Sequence, residues 1–252
     1  MKGQFRTYRS DHNAERFRFF RVEVFESDLH IGVDKSSFVS EMVGSARAEI
    51  TRIRDILNSY IAKERSFLTS LKPLEMDICA DSEVQSMLTA GIKADVGPMA
   101  AVAGLTSERV GRHLIEKFNI SEIVVENGGD IWASVKEPLF VEILAGNSPL
   151  SGKLALKIPP ERSPLGICTS SGTVGHSLSF GKADAVVICA ADCAVSDAFA
   201  TAVCNMVKTE QDIEKTIEFV RSVQEIISTV IVINDKIAVT GEFEIVPVLS
   251  AE

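Results

Sequence analysis

Paired cysteines are missing from this sequence. The five cysteines, at positions 79, 168, 189, 193 and 204, are odd in number and include no Cys-x-x-Cys spacing. That argues against a disulfide framework and for a reducing, cytoplasmic setting. The four histidines (12, 30, 113 and 176) are scattered, so no structural zinc site is expected. Long apolar runs are absent too. The longest, 185–191, is far short of a membrane span, and the opening Met1-Lys2-Gly3-Gln4-Phe5-Arg6 lacks the apolar stretch of a signal peptide. No membrane partner is expected. No Gly-x-Gly-x-x-Gly opens a helix and no P-loop spacing occurs, which argues against a dinucleotide fold of the Rossmann type. Positive charge is scarce: 26 Lys and Arg against 35 Asp and Glu leave a net charge of −9. Nucleic acid polymers, held by clustered cations, are therefore not the expected partner. One local exception is residues 1–21, where Lys2, Arg6, Arg9, Arg16, Arg18 and Arg21 outweigh Asp11 and Glu15. A basic strand face or a rim near an anionic ligand would account for it.

What is present is an ordinary globular composition over 252 residues, with 46% apolar and 24% charged positions. Alternating apolar segments predict strands within 16–33 and over 122–126, 131–135, 139–144, 154–158, 166–169 and 184–190. Helical spacing predicts helices over 40–70, 99–118, 194–207 and 211–227. A closing meander is expected over 229–233, 237–240 and 243–248. In the 99–118 helix, Ala100, Ala101, Ala103 and Gly104 permit close backbone packing, and Gly111 weakens it slightly. No linker or repeat divides the chain. The expected fold is one α/β (α+β) domain over 1–252, a largely antiparallel sheet flanked by helices. The apolar, low-charge C-terminal strands suggest a homodimer.

Four segments carry chemical potential. Asp197 and Thr201 stand at i and i+4 near a helix start, where two oxygens on one face suit a hard cation such as Mg²⁺. The alternative is that Ser196 or Asp197 caps the helix and Thr201 bonds back to a carbonyl. Asn127-Gly128-Gly129-Asp130 reads as a hairpin turn, and equally as a wall that a ligand can approach closely. Thr169-Ser170-Ser171-Gly172-Thr173, running on to His176, offers hydroxyls and N–H groups to an anion, or is a polar surface loop. Cys168 with His176 could form a nucleophile and base; a cysteine on an apolar strand is otherwise a small buried residue. Cys189 and Cys193 read as core.

In this order the segments resemble the FAD:protein FMN transferase family, the ApbE-like proteins. That family runs D-[LV]-G-G-I-A-K-G, N-x-G-G-[DN]-I, a T-S-G turn with a nearby His, and D-A-x-A-T. The counterparts here are Asp95-Val96-Gly97-Pro98-Met99-Ala100, Asn127 to Ile131, Thr169 to Gly172 with His176, and Asp197 to Thr201. The resemblance implies an α/β fold that binds a flavin nucleotide, FAD or FMN. Mg²⁺ would be held by Asp197, Thr201 and a backbone carbonyl near Ala100. Asp95, Gly97, Asn127, Gly128, Gly129, Asp130 and Thr169 to Thr173 would line the nucleotide. Pro98 replaces the family's second glycine, Ala101 replaces its lysine, and the D-P-x-T-G segment after the His is absent. These departures point away from flavin transfer itself. They suggest a small cytoplasmic ApbE-related branch of anaerobic prokaryotes, linked to sulfur assimilation and homocysteine formation. An accessory or thiol-dependent enzyme of that chemistry, or a non-catalytic binding protein keeping the fold, are the other readings.

Overall fold

The computed structural model describes residues 16–173 and 179–248. Its spine is an eight-stranded, wholly antiparallel sheet in the order β1-β2-β3-β4-β7-β8-β9-β10. The strands are β1 (Phe17–Val24), β2 (Ser27–Asp34), β3 (Ile123–Asn127), β4 (Asp130–Ser134), β7 (Leu165–Ser170), β8 (Ala185–Ala190), β9 (Ile226–Ile233) and β10 (Lys236–Gly241). A second sheet of β11 (Glu244–Pro247), β6 (Leu154–Ile158) and β5 (Leu139–Glu142) packs on one face. Helices cover the other face: α1 (Glu41–Lys63), the short α2 (Ser66–Thr69), α3 (Ser82–Ala94), α4 (Val102–Phe118), α5 (Cys193–Met206) and α6 (Ile213–Ser222).

The pleat divides the main sheet between two cores. Val125, Trp132, Cys168 and Ile188 face the helices, while Ile131, Ala133, Ile167 and Val187 face the small sheet. All six residues of β8 are buried because both faces are covered. This is the α/β fold with a largely antiparallel sheet that the alternation of patterns implied.

Local differences have physical causes. The helix expected over 40–70 stops at Lys63, where Glu64 leaves helical conformation (φ −125°, ψ 87°) before α2. The closing segment is not a meander. Gly241 (φ +107°) turns the chain, Ser228 Oγ accepts the N–H groups of Glu242 and Phe243 at 2.8 Å, and β11 joins β6 in the other sheet. Helix α6 ends at Ser222 rather than 227 because Ile226 already pairs with Ala190. Gly111 is no mere weak point: a Cβ there would lie 2.3 Å from the Trp132 ring, so its absence seats the sole tryptophan under α4.

Of the basic N-terminal run, residues 1–15 lie outside the described residues. Arg16 pairs with Glu122, Arg18 covers the Phe38 ring and Arg21 pairs with Asp28. These three arginines are therefore engaged in the fold.

Asp34 ties β2 to β3. Its carboxylate accepts the N–H groups of Ser121 and Glu122, both at 3.1 Å, and the hydroxyls of Ser36 and Ser37 at 2.7 and 2.8 Å. Burial opposes the charge, yet these donors outweigh it and hold the carboxyl below its ordinary value. A depressed folded-state pKa contributes stability that is present above the unfolded value of about 3.9 and lost as pH falls through the folded one. Asp34→Asn is expected to cost about 2 kcal/mol at neutral pH by presenting an amide donor to the serine hydroxyls. Urea unfolding should show that difference shrinking towards zero in acid, below the depressed pKa.

Candidate functional site

The site assembles where the β3–β4 hairpin, the end of β7 and the N-terminal halves of α4 and α5 converge. Gly128 and Gly129 form a two-residue loop with φ of 74° and 112°, which only glycine adopts freely, and Asn127 pairs with Asp130 across it. The hairpin reading is therefore correct. It also aims chemistry at the helices: Asn127 Nδ2 donates to the Ala103 carbonyl at 3.5 Å, and the Asp130 carbonyl accepts from Ser107 Oγ at 2.9 Å.

Asp197 does not cap its own helix. That role belongs to Asp192, whose side chain accepts from Val195 N–H at 2.9 Å, while Ser196 Oγ donates to the Ile188 carbonyl. Asp197 instead reaches across to α4 and accepts the Gly104 N–H at 2.9 Å. Gly104 lies in the first turn of α4, whose N-cap Ala101 has no side-chain acceptor to offer. The carboxylate thus meets a free N–H at the positive end of a helix. The approach requires glycine, since a Cβ at 104 would lie 2.3 Å from the Cys193 carbonyl oxygen.

The electrostatics of this cluster are one-sided. Burial first, and the charge of Asp130 second, hold the Asp197 carboxyl well above the usual carboxylate range, with the Gly104 N–H working against them. Among the described residues, none of the groups acting on it is cationic. The four motif segments, within 94–108, 118–135, 163–181 and 183–207, contain no Lys or Arg. Thr201, two turns into α5 on the face of Asp197, is buried, and its hydroxyl makes no hydrogen bond among the described residues. By contrast Ser86, Thr106 and Thr216 all donate to the carbonyl four residues back. Back-bonding therefore does not account for Thr201. A buried carboxylate without a cationic partner, next to an unused hydroxyl, is an oxygen donor set suited to a hard divalent cation. No group of three or more His, Cys, Asp or Glu among the described residues could hold a metal. Such a cation would depend on hydroxyl, backbone, water or ligand oxygens for the remainder of its shell.

The other expected site residues are dispersed. Asp95 is exposed and closes α3 in the left-handed conformation (φ 55°). Gly97 packs on residues 70 and 71, where a Cβ would lie 1.8 Å from the Ser70 carbonyl oxygen. Ala100 lies in the one-turn 3₁₀ segment before α4, whereas the backbone groups that act on Asp197 are those of Ala103 and Gly104. Cys168 and Ser170 point to the helical face and Thr169 to the other. Ser171, Gly172 and Thr173 form a turn held by Gly172 N–H on the Ala183 carbonyl (2.9 Å) and by Thr173 Oγ1 on Asp184 Oδ1 (3.1 Å). His176 lies outside the described residues.

Cys168, the expected nucleophile, has no exposed surface, and burial pushes its thiol well up. Cys193 is equally buried and is pushed up to about 11. Neither is poised as a thiolate in the folded chain. Cys79 is exposed, while 168, 189, 193 and 204 are buried. A bulky disulfide reagent on the folded protein should therefore titrate one thiol of five, the rest appearing only in denaturant; rapid labelling of Cys168 would revive the thiol reading.

The family model described as AbpE bacteria matches residues 9–228. A UPF0280 protein of Methanocaldococcus jannaschii is 36% identical over 227 residues, covering 88% of this chain and 90% of its own length. A UPF0280 protein of Methanocella arvoryzae is 40% identical over 195 residues, covering 76% and 78%. Among solved structures, the apo flavinyl transferase ApbE of Pseudomonas stutzeri aligns with TM-score 0.58 and 13% identity, over 89% of this chain and 94% of that one. The flavin transferase ApbE of Vibrio cholerae aligns with TM-score 0.57 and 12% identity, over 89% and 96%. At such identities the solved structures speak for the fold, and the family match covers most of the chain. The chain belongs to the ApbE-like family, alongside the UPF0280 proteins of methanogens.

Proposed function

We propose that this protein binds a flavin nucleotide, FAD or FMN, together with Mg²⁺ at the junction of α4, α5 and the β3–β4 hairpin. The observation that carries the reading is the pairing of Asp197, buried without a cationic partner among the described residues, with the hydroxyl of Thr201, which none of them engages. Those two side chains would hold the cation, with a backbone carbonyl from residues 100–103 as the third protein ligand. A bound divalent cation would supply charge neutralisation at the phosphates. Asn127 to Asp130 would wall the ligand, beside the turn from Ser171 to Thr173, whose Gly172 N–H and Thr173 hydroxyl are spent in holding the turn itself. With no Lys or Arg in these segments, the cation becomes the main positive charge available to a pyrophosphate.

Flavin binding is favoured over flavin transfer by one position. Ala101 stands where the resembled transferases carry lysine, and it is fully buried. An accessory role in sulfur assimilation or homocysteine formation would operate through this flavin site rather than through a buried thiol. Titrating the protein into FAD, and separately FMN, while following flavin fluorescence tests the proposal. Saturable quenching that requires Mg²⁺ and is lost on chelation is expected. Equal binding with and without the cation, or none, would overturn it.

A further inference from the structure

Beneath the proposed site two thiols face each other without a role in it. Cys168 on β7 and Cys193 in the first turn of α5 place their sulfur atoms 3.6 Å apart, with no exposed surface on either residue. The contact depends on Gly166, where a Cβ would lie 2.5 Å from Cys193 Cα, so the helix rests directly on the strand. Cys193 Sγ lies 3.4 Å from the Ile131 carbonyl oxygen, and Cys168 Sγ lies 3.5 Å from the Cys193 carbonyl oxygen. The two residues sit on different elements, already in contact, and only a modest approach separates them from the S–S bonding distance of about 2.05 Å.

We propose that Cys168 and Cys193 form a dithiol that closes to an intramolecular disulfide in the folded protein on exposure to a small peroxide, and reopens with a thiol reductant. The steps balance. The Cys193 sulfur attacks one peroxide oxygen as its thiol proton passes to the departing oxygen; the S–O bond forms, the O–O bond breaks, and that oxygen leaves as water. The Cys168 sulfur then attacks the Cys193 sulfenic acid. The S–S bond forms, the S–O bond breaks, and a second water leaves with the Cys168 proton. The thiol pair loses two electrons and the peroxide gains them. Two equivalents of a small thiol reverse the change through a mixed disulfide.

Cys193 is assigned the first step because it sits at a helix N-terminus and Cys168 Sγ–H lies within reach of its sulfur. Peroxide is the apt oxidant because it is small and uncharged, whereas bulky reagents meet a closed surface. Closure would draw the first turn of α5 towards β7, one helical turn before Asp197. A built-in reporter stands beside it: Trp132, the only tryptophan, pairs with Gly166 in the ladder.

The test treats reduced, folded protein with stoichiometric hydrogen peroxide under anaerobic conditions. Intact mass should fall by about 2 Da for one disulfide. A non-reducing peptide map should join the 168 and 193 peptides, and Trp132 fluorescence should drop and recover with dithiothreitol. Cys189→Ser should keep this response. Cys168→Ala and Cys193→Ala should each lose it, and if either fails to fold, the wild-type peptide map alone decides. Oxygen addition to single cysteines without a 168–193 link, or a link that forms only in denaturant, would overturn the proposal.

Discussion

Asp197→Asn is expected to weaken cation-dependent flavin binding sharply while making the ligand-free protein more stable. The two effects have opposite signs because the carboxylate is costly where it stands. Burial and the neighbouring charge of Asp130 favour its neutral form, and no cationic group among the described residues answers them. Asparagine keeps an oxygen for the Gly104 N–H, 2.9 Å away in the wild type, and removes the charge. Thermal or urea unfolding should therefore show a gain of about 1 kcal/mol at neutral pH. Removing the anionic cation ligand should weaken Mg²⁺-dependent binding by about 100-fold, or about 2.8 kcal/mol at 1.4 kcal/mol per decade. Stability bought at the expense of function marks a residue kept for its ligand. A purely structural cap would behave differently, since its loss would destabilise the protein without touching binding specifically.

The second large effect is expected at Gly104. A Cβ there would lie 2.3 Å from the Cys193 carbonyl oxygen and 2.8 Å from Asp197 Cβ, and the first of these is backbone that cannot rotate away. Gly104→Ala should cost about 3 kcal/mol through overpacking, despite the roughly 1 kcal/mol by which alanine favours a helix. Gly44 in α1 provides the matched control, since nothing lies within 4 Å of the corresponding Cβ. Gly44→Ala should therefore stabilise by about 0.5–1 kcal/mol. Chemical unfolding of the pair separates a steric requirement at the α4–α5 crossing from a general glycine effect. Gly104→Ala should also displace Asp197, so its loss of flavin binding should exceed what its loss of stability explains.

Much of this architecture is readable from residue patterns alone. Strand 154–158 falls at its expected bounds, and most other strands differ from expectation by a residue or two at each end. The reason is that short apolar alternations are bounded by glycine, proline or Asn-Gly turns. Helix α3 was not anticipated, although Val84, Met87, Leu88 and Gly91 recur at helical spacing and are buried. Its weak apolar face and its internal threonine and glycine obscured that period. The fate of β11 was not legible either, because a change of sheet at Gly241 depends on Ser228, which is distant in sequence.

Site legibility divides along the same line. Asp197 and Thr201 share a helix face by spacing alone, so local periodicity identifies them. What periodicity cannot supply is the partner across the fold. The Gly104 N–H on Asp197 joins residues 93 positions apart, and the Cys168–Cys193 contact joins two strand and helix ends. Asp95 and Gly97 illustrate the converse. They match a motif in sequence, yet here one ends a helix and the other lets backbone pack on Ser70.

The most direct test of the cation site is anomalous diffraction from crystals grown with FAD and Mn²⁺ in place of Mg²⁺. One Mn²⁺ peak within coordination distance of Asp197 and Thr201 Oγ1, sharing an oxygen with the flavin phosphates, is the expected result. Flavin bound without a metal peak there, or a peak held by other residues, would contradict the account.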